Sequence, residues 1–152
     1  MIYNETVVLS SLRGDTGICV DLVKGHHNLG ISSENGYIVP LDCGATGKTL
    51  LAAQSDELVE RLIQNYPGLE EKLRNQVKEI RQRGYCISEG EVDEGVAAVA
   101  VPLPMPDHIY TLTYSGPVER LRGLDYMVLV HSLQQAVKNI LLKCDGKRKE
   151  AL

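Results

Sequence analysis

The chain is 152 residues long, the length of one domain, and folding can bury roughly 68–70 % of its unfolded surface without disulfide or metal staples. A net charge of −4 argues against a nucleic-acid surface, and the lack of Phe and Trp leaves any stacking on bases or sugars to seven tyrosines. Four widely spaced cysteines (Cys19, Cys43, Cys86, Cys144) with no C-x-x-C suggest neither a zinc knuckle nor a disulfide framework, so reduced thiols in a cytoplasmic protein are expected. The sequence shows no signal-peptide pattern and no apolar run long enough to span a bilayer.

Thr6 to Leu12 reads as a strand, Gly14-Asp15 as a turn, and Ile18 to Val23 as a second, half-buried strand, together a hairpin. Leu29 to Ser33 is expected to be a short third strand, followed by an Asn35-Gly36 turn and an extended Tyr37 to Leu41. Three helices are expected next: Ala45 to Ala53, a second after the Ser55 cap to about Asn65, and a third from about Leu69 to Arg83, stopped by Gly84. Tyr85 to Ser88 is a short strand. Gly95 to Val101 is Val/Ala-rich and reads as a strand buried on both faces. Pro102 to Asp107, with three prolines, reads as a connection, and Ile109 to Ser115 alternates as a strand ending at Gly116-Pro117. One long helix, about Leu124 to Lys143, should close the chain with Met127, Val130, Val137, Ile140 and Leu141 inward. Lys143, Lys147, Arg148 and Lys149 should form a solvated, fraying tail. This order argues for a single α+β domain with a mainly antiparallel central sheet flanked by helices.

The stretch Gly44-Ala45-Thr46-Gly47-Lys48-Thr49 carries the most information. It satisfies the end of the nucleotide-binding pattern G-x-x-x-x-G-K-[ST], but Asp42 stands where the first glycine belongs and would place negative charge beside the phosphates. Pro40 also spoils the upstream segment as a buried parallel strand. The alternative is a helix opening: Asp42 caps it, the small residues keep side chains away, and an anion can approach N–H groups at the positive helix end. A tight helix–sheet contact with no ligand fits the same residues.

The run Pro40-Leu41-Asp42-Cys43-Gly44-Ala45-Thr46-Gly47-Lys48-Thr49-Leu50-Leu51-Ala52 resembles the helix-opening signature of IclR-type transcriptional regulators. Arg83-Gly84-Tyr85-Cys86-Ile87-Ser88 with Glu91 and Gly95 to Pro102 resembles that family's second signature. Tyr114-Ser115-Gly116-Pro117 with Arg120-Leu121 resembles the third, and the three come in order over about residues 5–142. The resemblance implies the C-terminal, GAF-like effector-binding domain of such a regulator, without the family's N-terminal winged helix-turn-helix and linker helix. The expectation is a truncated form with Met1 added; a free-standing sensor is the alternative.

The resemblance also implies the site: Thr46 and Gly47 at the helix start, Ser88 after the Gly-Tyr strand, Ala98 on the next strand, and Thr113 and Ser115 on the last. Ser88 stands where many relatives carry Asp, Ala98 replaces a residue that is bulkier or sulfur-bearing in some relatives, and the prolines of residues 104–106 are unusual. Thr113 and Ser115 are two apart, so a strand points both to one face. Two hydroxyls opposite a positive helix end suit a small anion. The implied partners are a small organic-acid effector, further copies of the chain as dimer or tetramer, and DNA only through a domain outside this chain. No catalytic residue, cofactor, metal or membrane contact is expected.

The remaining candidates have plain readings. Cys43 and Cys86 fall near the expected pocket, and a GAF-like cysteine enzyme such as a methionine sulfoxide reductase is the enzymatic alternative; buried thiols are more often small hydrophobes. His26 and His27 are adjacent loop histidines without a third ligand nearby. His108 suits capping, His131 a surface or packing role, and Glu91 and Glu94 could cap or fix the loop over residues 88–95.

Overall fold

The computed structural model describes residues 5–25 and 35–151, with side chains to residue 147. The elements run β1 (Thr6–Arg13), β2 (Thr16–Val23), β3 (Ile38–Val39), α1 (Ala45–Ala52), α2 (Asp56–Ile63), α3 (Glu70–Arg83), β4 (Cys86–Glu89), β5 (Val96–Pro104), β6 (Ile109–Pro117), α4 (Val118–Leu124) and α5 (Tyr126–Ala151). The strands form one sheet, β3-β2-β1-β6-β5-β4, antiparallel throughout. The expected α+β class with a long closing helix is borne out. The expected strand over Leu29 to Ser33, together with His26 and His27, lies outside the described residues.

Strand alternation divides the core in two. On one face Leu12, Cys86 and Ala100 pack under α1, α2 and α3 through Leu50, Leu51, Leu62, Ile63, Leu73, Val77 and Ile80. On the other, Ala97, Val99, Val101 and Tyr114 pack against Leu121 of α4 and Leu129, Val130 and Leu133 of α5. The reading of the β5 segment as buried on both faces holds for the same reason. Ser55 caps α2 by accepting the Leu58 N–H, and Gly84 ends α3 in the left-handed region at φ 81°.

Several boundaries differ from expectation. Pro102 and Pro104 belong to β5, not to a connection, because β4 stops opposite Ala100. Beyond that point β5 has β6 on one side only, and a proline without an N–H is tolerated at such an edge. β6 continues to Pro117, and the chain turns directly into α4, a helix the sequence reading missed. The closing helix is therefore two: Asp125, at φ 68°, breaks them and its carboxylate accepts the Met127 N–H. α5 then runs past Lys143 to Ala151, so its backbone is helical where a fraying tail was expected. Met127 faces out, 38 % exposed, because its neighbours Leu129 and Val130 take the inward stripe.

A corner where β1, β6 and α4 meet is held by charge. Arg120 donates two hydrogen bonds to Glu5, from Nε to Oε1 at 2.8 Å and from Nη2 to Oε2 at 3.0 Å. The Glu5 side chain is 2 % exposed, and a Cβ on Gly116 would lie 2.5 Å from its Oε2.

Candidate functional site

The start of α1 sits over the sheet and defines a cavity of about 90 Å³. Gly44, at φ 80°, is the residue before the helix, and no side chain of its own segment caps it. Asp42 therefore does not serve as the cap that the sequence suggested; it lies too far before the first helical residue. The caps come instead from across the fold. Ser88 Oγ accepts the Ala45 N–H at 2.9 Å, and Glu91 Oε1 accepts the Gly44 N–H at 3.1 Å. The helical ladder begins with Lys48 N–H bonding the Gly44 carbonyl. Between these, the N–H groups of Thr46 and Gly47 have no protein acceptor among the described residues.

All six residues implied by the resemblance, Thr46, Gly47, Ser88, Ala98, Thr113 and Ser115, line this one cavity. β6 presents Thr113 and Ser115 to the same face, with Val8 and Thr6 of β1 opposite on one side and Ala100 and Ala98 of β5 on the other. Thr113 is 1 % exposed, and its Oγ1 lies 2.8 Å from Thr46 Oγ1. Gly47 has a packing reason as well: a Cβ there would overlap the Pro40 carbonyl. The loop over residues 90–95 forms a further wall through Val92 and Asp93.

Lys48, the lysine of the apparent nucleotide motif, does not line the cavity. It is buried and its Nζ bonds both Glu91 oxygens, at 2.8 and 3.1 Å. Burial raises the Glu91 carboxyl's pKa, but the Lys48 ammonium and the Gly44 N–H outweigh it, and the net shift is downward. Among the described lining residues the one charged side chain is Asp93. A bound anion would therefore rest on N–H groups, hydroxyls and the helix end, not on a cation.

The thiols argue against nucleophilic chemistry. Cys43 lines the cavity, but Cys86 is packed into the core beneath α1 and does not; Cys19 of β2, unassigned by the sequence reading, does. Burial raises all three thiols, and the nearby carboxylates of Asp42 at Cys43 and Asp21 at Cys19 raise them further. An activated cysteine needs the opposite environment. His108 is 2.8 Å from Ser11 Oγ and meets Tyr110 edge-on, away from the cavity; His131 is exposed on α5. No group of three or more His, Cys, Asp or Glu among the described residues could hold a metal, and no described helix is long and apolar enough to cross a membrane.

Sequence reasoning missed Ser10, Val8 and Cys19 on the cavity wall. The available signal was a pair of serines, Ser10-Ser11, inside an otherwise apolar strand. A register shift between Leu9 and Ser10 places Ser10 opposite Cys19 of β2.

A helix opening and a row of hydroxyls enclosing a small cavity on an antiparallel sheet define a ligand-sensing type of domain rather than a nucleotide-hydrolysing one. The family described as the C-terminal domain of the bacterial transcriptional regulator IclR matches residues 2–142. The chain belongs to this family, whose members are transcriptional regulators and not enzymes. It is 34 % identical over 108 residues to the probable transcriptional regulator SauR of Cupriavidus necator, covering 65 % of this chain and 43 % of that protein. It is 31 % identical over 111 residues to the transcriptional regulator KdgR of Dickeya chrysanthemi, covering 67 % of this chain and 36 % of that protein. The chain thus spans less than half the length of these relatives. The Thermotoga maritima IclR structure superposes with a TM-score of 0.82 at 23 % identity, covering 93 % of this chain and 62 % of that one. The C-terminal domain of a Vibrio cholerae regulator superposes with 0.79 at 23 %, covering 90 % and 85 %. At these identities the structures speak to the fold alone.

Proposed function

We propose that this effector domain binds a small anionic metabolite in the α1 cavity without transforming it, and that binding controls operator recognition by a winged helix-turn-helix elsewhere in the whole protein. Thr46, Gly47, Ser88, Ala98, Thr113 and Ser115 are the contacts. The observation that carries the reading is the unspent pair of N–H donors at Thr46 and Gly47 in a cavity shared with the Thr113 and Ser115 hydroxyls. Ser88 accepts the Ala45 N–H through its oxygen, which leaves its own O–H as a donor for the ligand. The ligand would act by favouring one arrangement of associated effector domains in a cytoplasmic dimer or tetramer, a coupling between separate sites.

The test is thermal unfolding in the presence of small carboxylates. A ligand at 100 times its dissociation constant adds about 2.7 kcal/mol, or a rise of roughly 5–10 °C for a chain of this size. The rise should vanish in Thr113→Val, which removes the hydroxyl paired with Thr46. No stabilisation by any acid, with stabilisation by a neutral compound, would overturn the anionic reading.

A further inference from the structure

Strands, the first turn of α1 and the segment leading into it form most of the wall around the α1 cavity. Among the described residues the remaining side is the loop between β4 and β5. Residues 90–95 are all exposed, yet Val92 and Asp93 line the cavity, so a single layer of chain separates it from solvent there. The loop begins and ends on glycines in the left-handed region, Gly90 at φ 66° and Gly95 at φ 76°, and a Cβ at either would meet nothing within 4 Å. Glycine moves between the left-handed and the ordinary regions at little cost. The flanking chain is fixed. Glu89 accepts hydrogen bonds from Arg122 Nε at 3.0 Å and from the Tyr126 hydroxyl at 2.6 Å, and the Val118 N–H bonds the Gly95 carbonyl at 2.9 Å.

Between the glycines the loop meets α1 through two residues. Glu91 holds the Gly44 N–H and the Lys48 ammonium, with a weaker attraction to Lys72 of α3. Val92 rests on Gly44: a Cβ there would lie 2.6 Å from Val92 Cγ2, so the glycine makes the seat. Apart from the Val96 N–H bonding the Asp93 carbonyl within the turn, no other hydrogen bond or ion pair joins residues 91–94 to the rest of the described residues. We propose that residues 90–95 are a lid that a ligand must move to enter or leave the cavity, hinged at Gly90 and Gly95 and latched to α1 by Glu91. The inference concerns access and holds for any ligand chemistry, so it stands apart from the acid-binding reading. Swinging the loop leaves the β4–β5 ladder intact, because that ladder ends at the Glu89–Ala97 pair. No core side chain leaves its place, so opening does not wait for global unfolding. A charge-assisted latch keeps the closed form dominant.

Cys19 reports opening: it lines the cavity, is 1 % exposed, and its thiol is shifted by burial and Asp21, not by Glu91. Cys86 is the control, since it lies in the core beneath α1, outside the cavity, and reacts when that layer lifts or the chain unfolds. The experiment is labelling of the ligand-free chain at neutral pH with methyl methanethiosulfonate, with the rate at each cysteine resolved by mass. In the wild type Cys19 should react faster than Cys86. Glu91→Gln, which removes the ion pair, should speed Cys19 by about tenfold, with a smaller rise at Cys86. Loss of the Glu91 charge lowers the Cys86 thiol and so works against the expected ratio. Gly90→Ala keeps the latch and every charge but strains the closed hinge; it should speed Cys19 several-fold and serves if Glu91→Gln does not fold. Cys19 and Cys86 accelerating in step would mean that unfolding alone exposes the cavity, and Cys19 rates unchanged in both variants would mean that the loop does not gate it. Either result would overturn the lid and leave the acid-binding reading standing.

Discussion

Replacing Arg120 with alanine should be the most damaging single charge deletion on the β1–β6–α4 corner. Glu5 is 2 % exposed and Arg120 28 % exposed, so the substitution strands a buried carboxylate whose two partners came from one guanidinium. Removing one partner of a buried pair costs about 3–5 kcal/mol, and the partial exposure of Arg120 admits some water, so the lower end, about 3 kcal/mol, applies. For a chain of this length that is a fall in melting temperature of about 6–12 °C. Circular dichroism during heating and urea titration would measure it. The double variant Glu5→Gln/Arg120→Met, which removes both charges, should recover at least half of the loss. A loss of less than about 1 kcal/mol in Arg120→Ala, the value of an exposed pair, would refute the reasoning that this corner is a buried ion pair.

Three further outcomes follow from the same geometry. Gly47→Ala should fail to yield a stable fold, seen as a collapsed yield or a broad early melt, because its Cβ would overlap the Pro40 carbonyl in backbone that cannot yield cheaply. The Glu91 carboxyl is held below the ordinary value of 4.5 in the folded state, so its contribution to stability is complete above that value and is lost as pH falls through the folded one. Melting temperature followed downward from neutral pH should drop less steeply below about pH 4.5 in Glu91→Gln than in the wild type; Glu89, held near 2 by Arg122 and then Tyr126, also loses stabilisation over that window, but equally in both proteins, so the difference between them reports Glu91. Cys43, Cys19 and Cys86, all raised thiols, should react with iodoacetamide at neutral pH more slowly than free cysteine, and mass-resolved labelling that finds any of them faster would reopen thiol chemistry.

The strands and helices with strong periodicity and clear punctuation were legible: Ser55 and Gly84 bound their helices as the residue types predict. Local rules failed where the answer lay elsewhere in the chain. Pro102 and Pro104 read as a connection until β4 is known to stop short, and Asp42 reads as a cap until Ser88 and Glu91 are seen to reach α1 from the β4 side. The break at Asp125 rests on one positive φ at a non-glycine residue, which residue type signals weakly. The set of cavity residues came from resemblance, and the structure brings its six members together; Ser10 was overlooked because a serine in a strand gives no sign of whether its hydroxyl finds a partner.

The central pairing of β1 with β6 has a consequence for how the molecule comes into being. Glu5 and Arg120 stand 115 positions apart, and the two strands beside them make the middle of the sheet. Sheets closed by such distant segments gain little until late, and they fold slowly relative to helical proteins of the same size. As the ribosome extends the chain, β1 must wait with an unpaired edge until β6 emerges. The cavity takes one wall from each strand, so fragments ending before Pro117 cannot hold it. A ligand that fits would act late in folding, trapping only molecules whose two distant strands have already met.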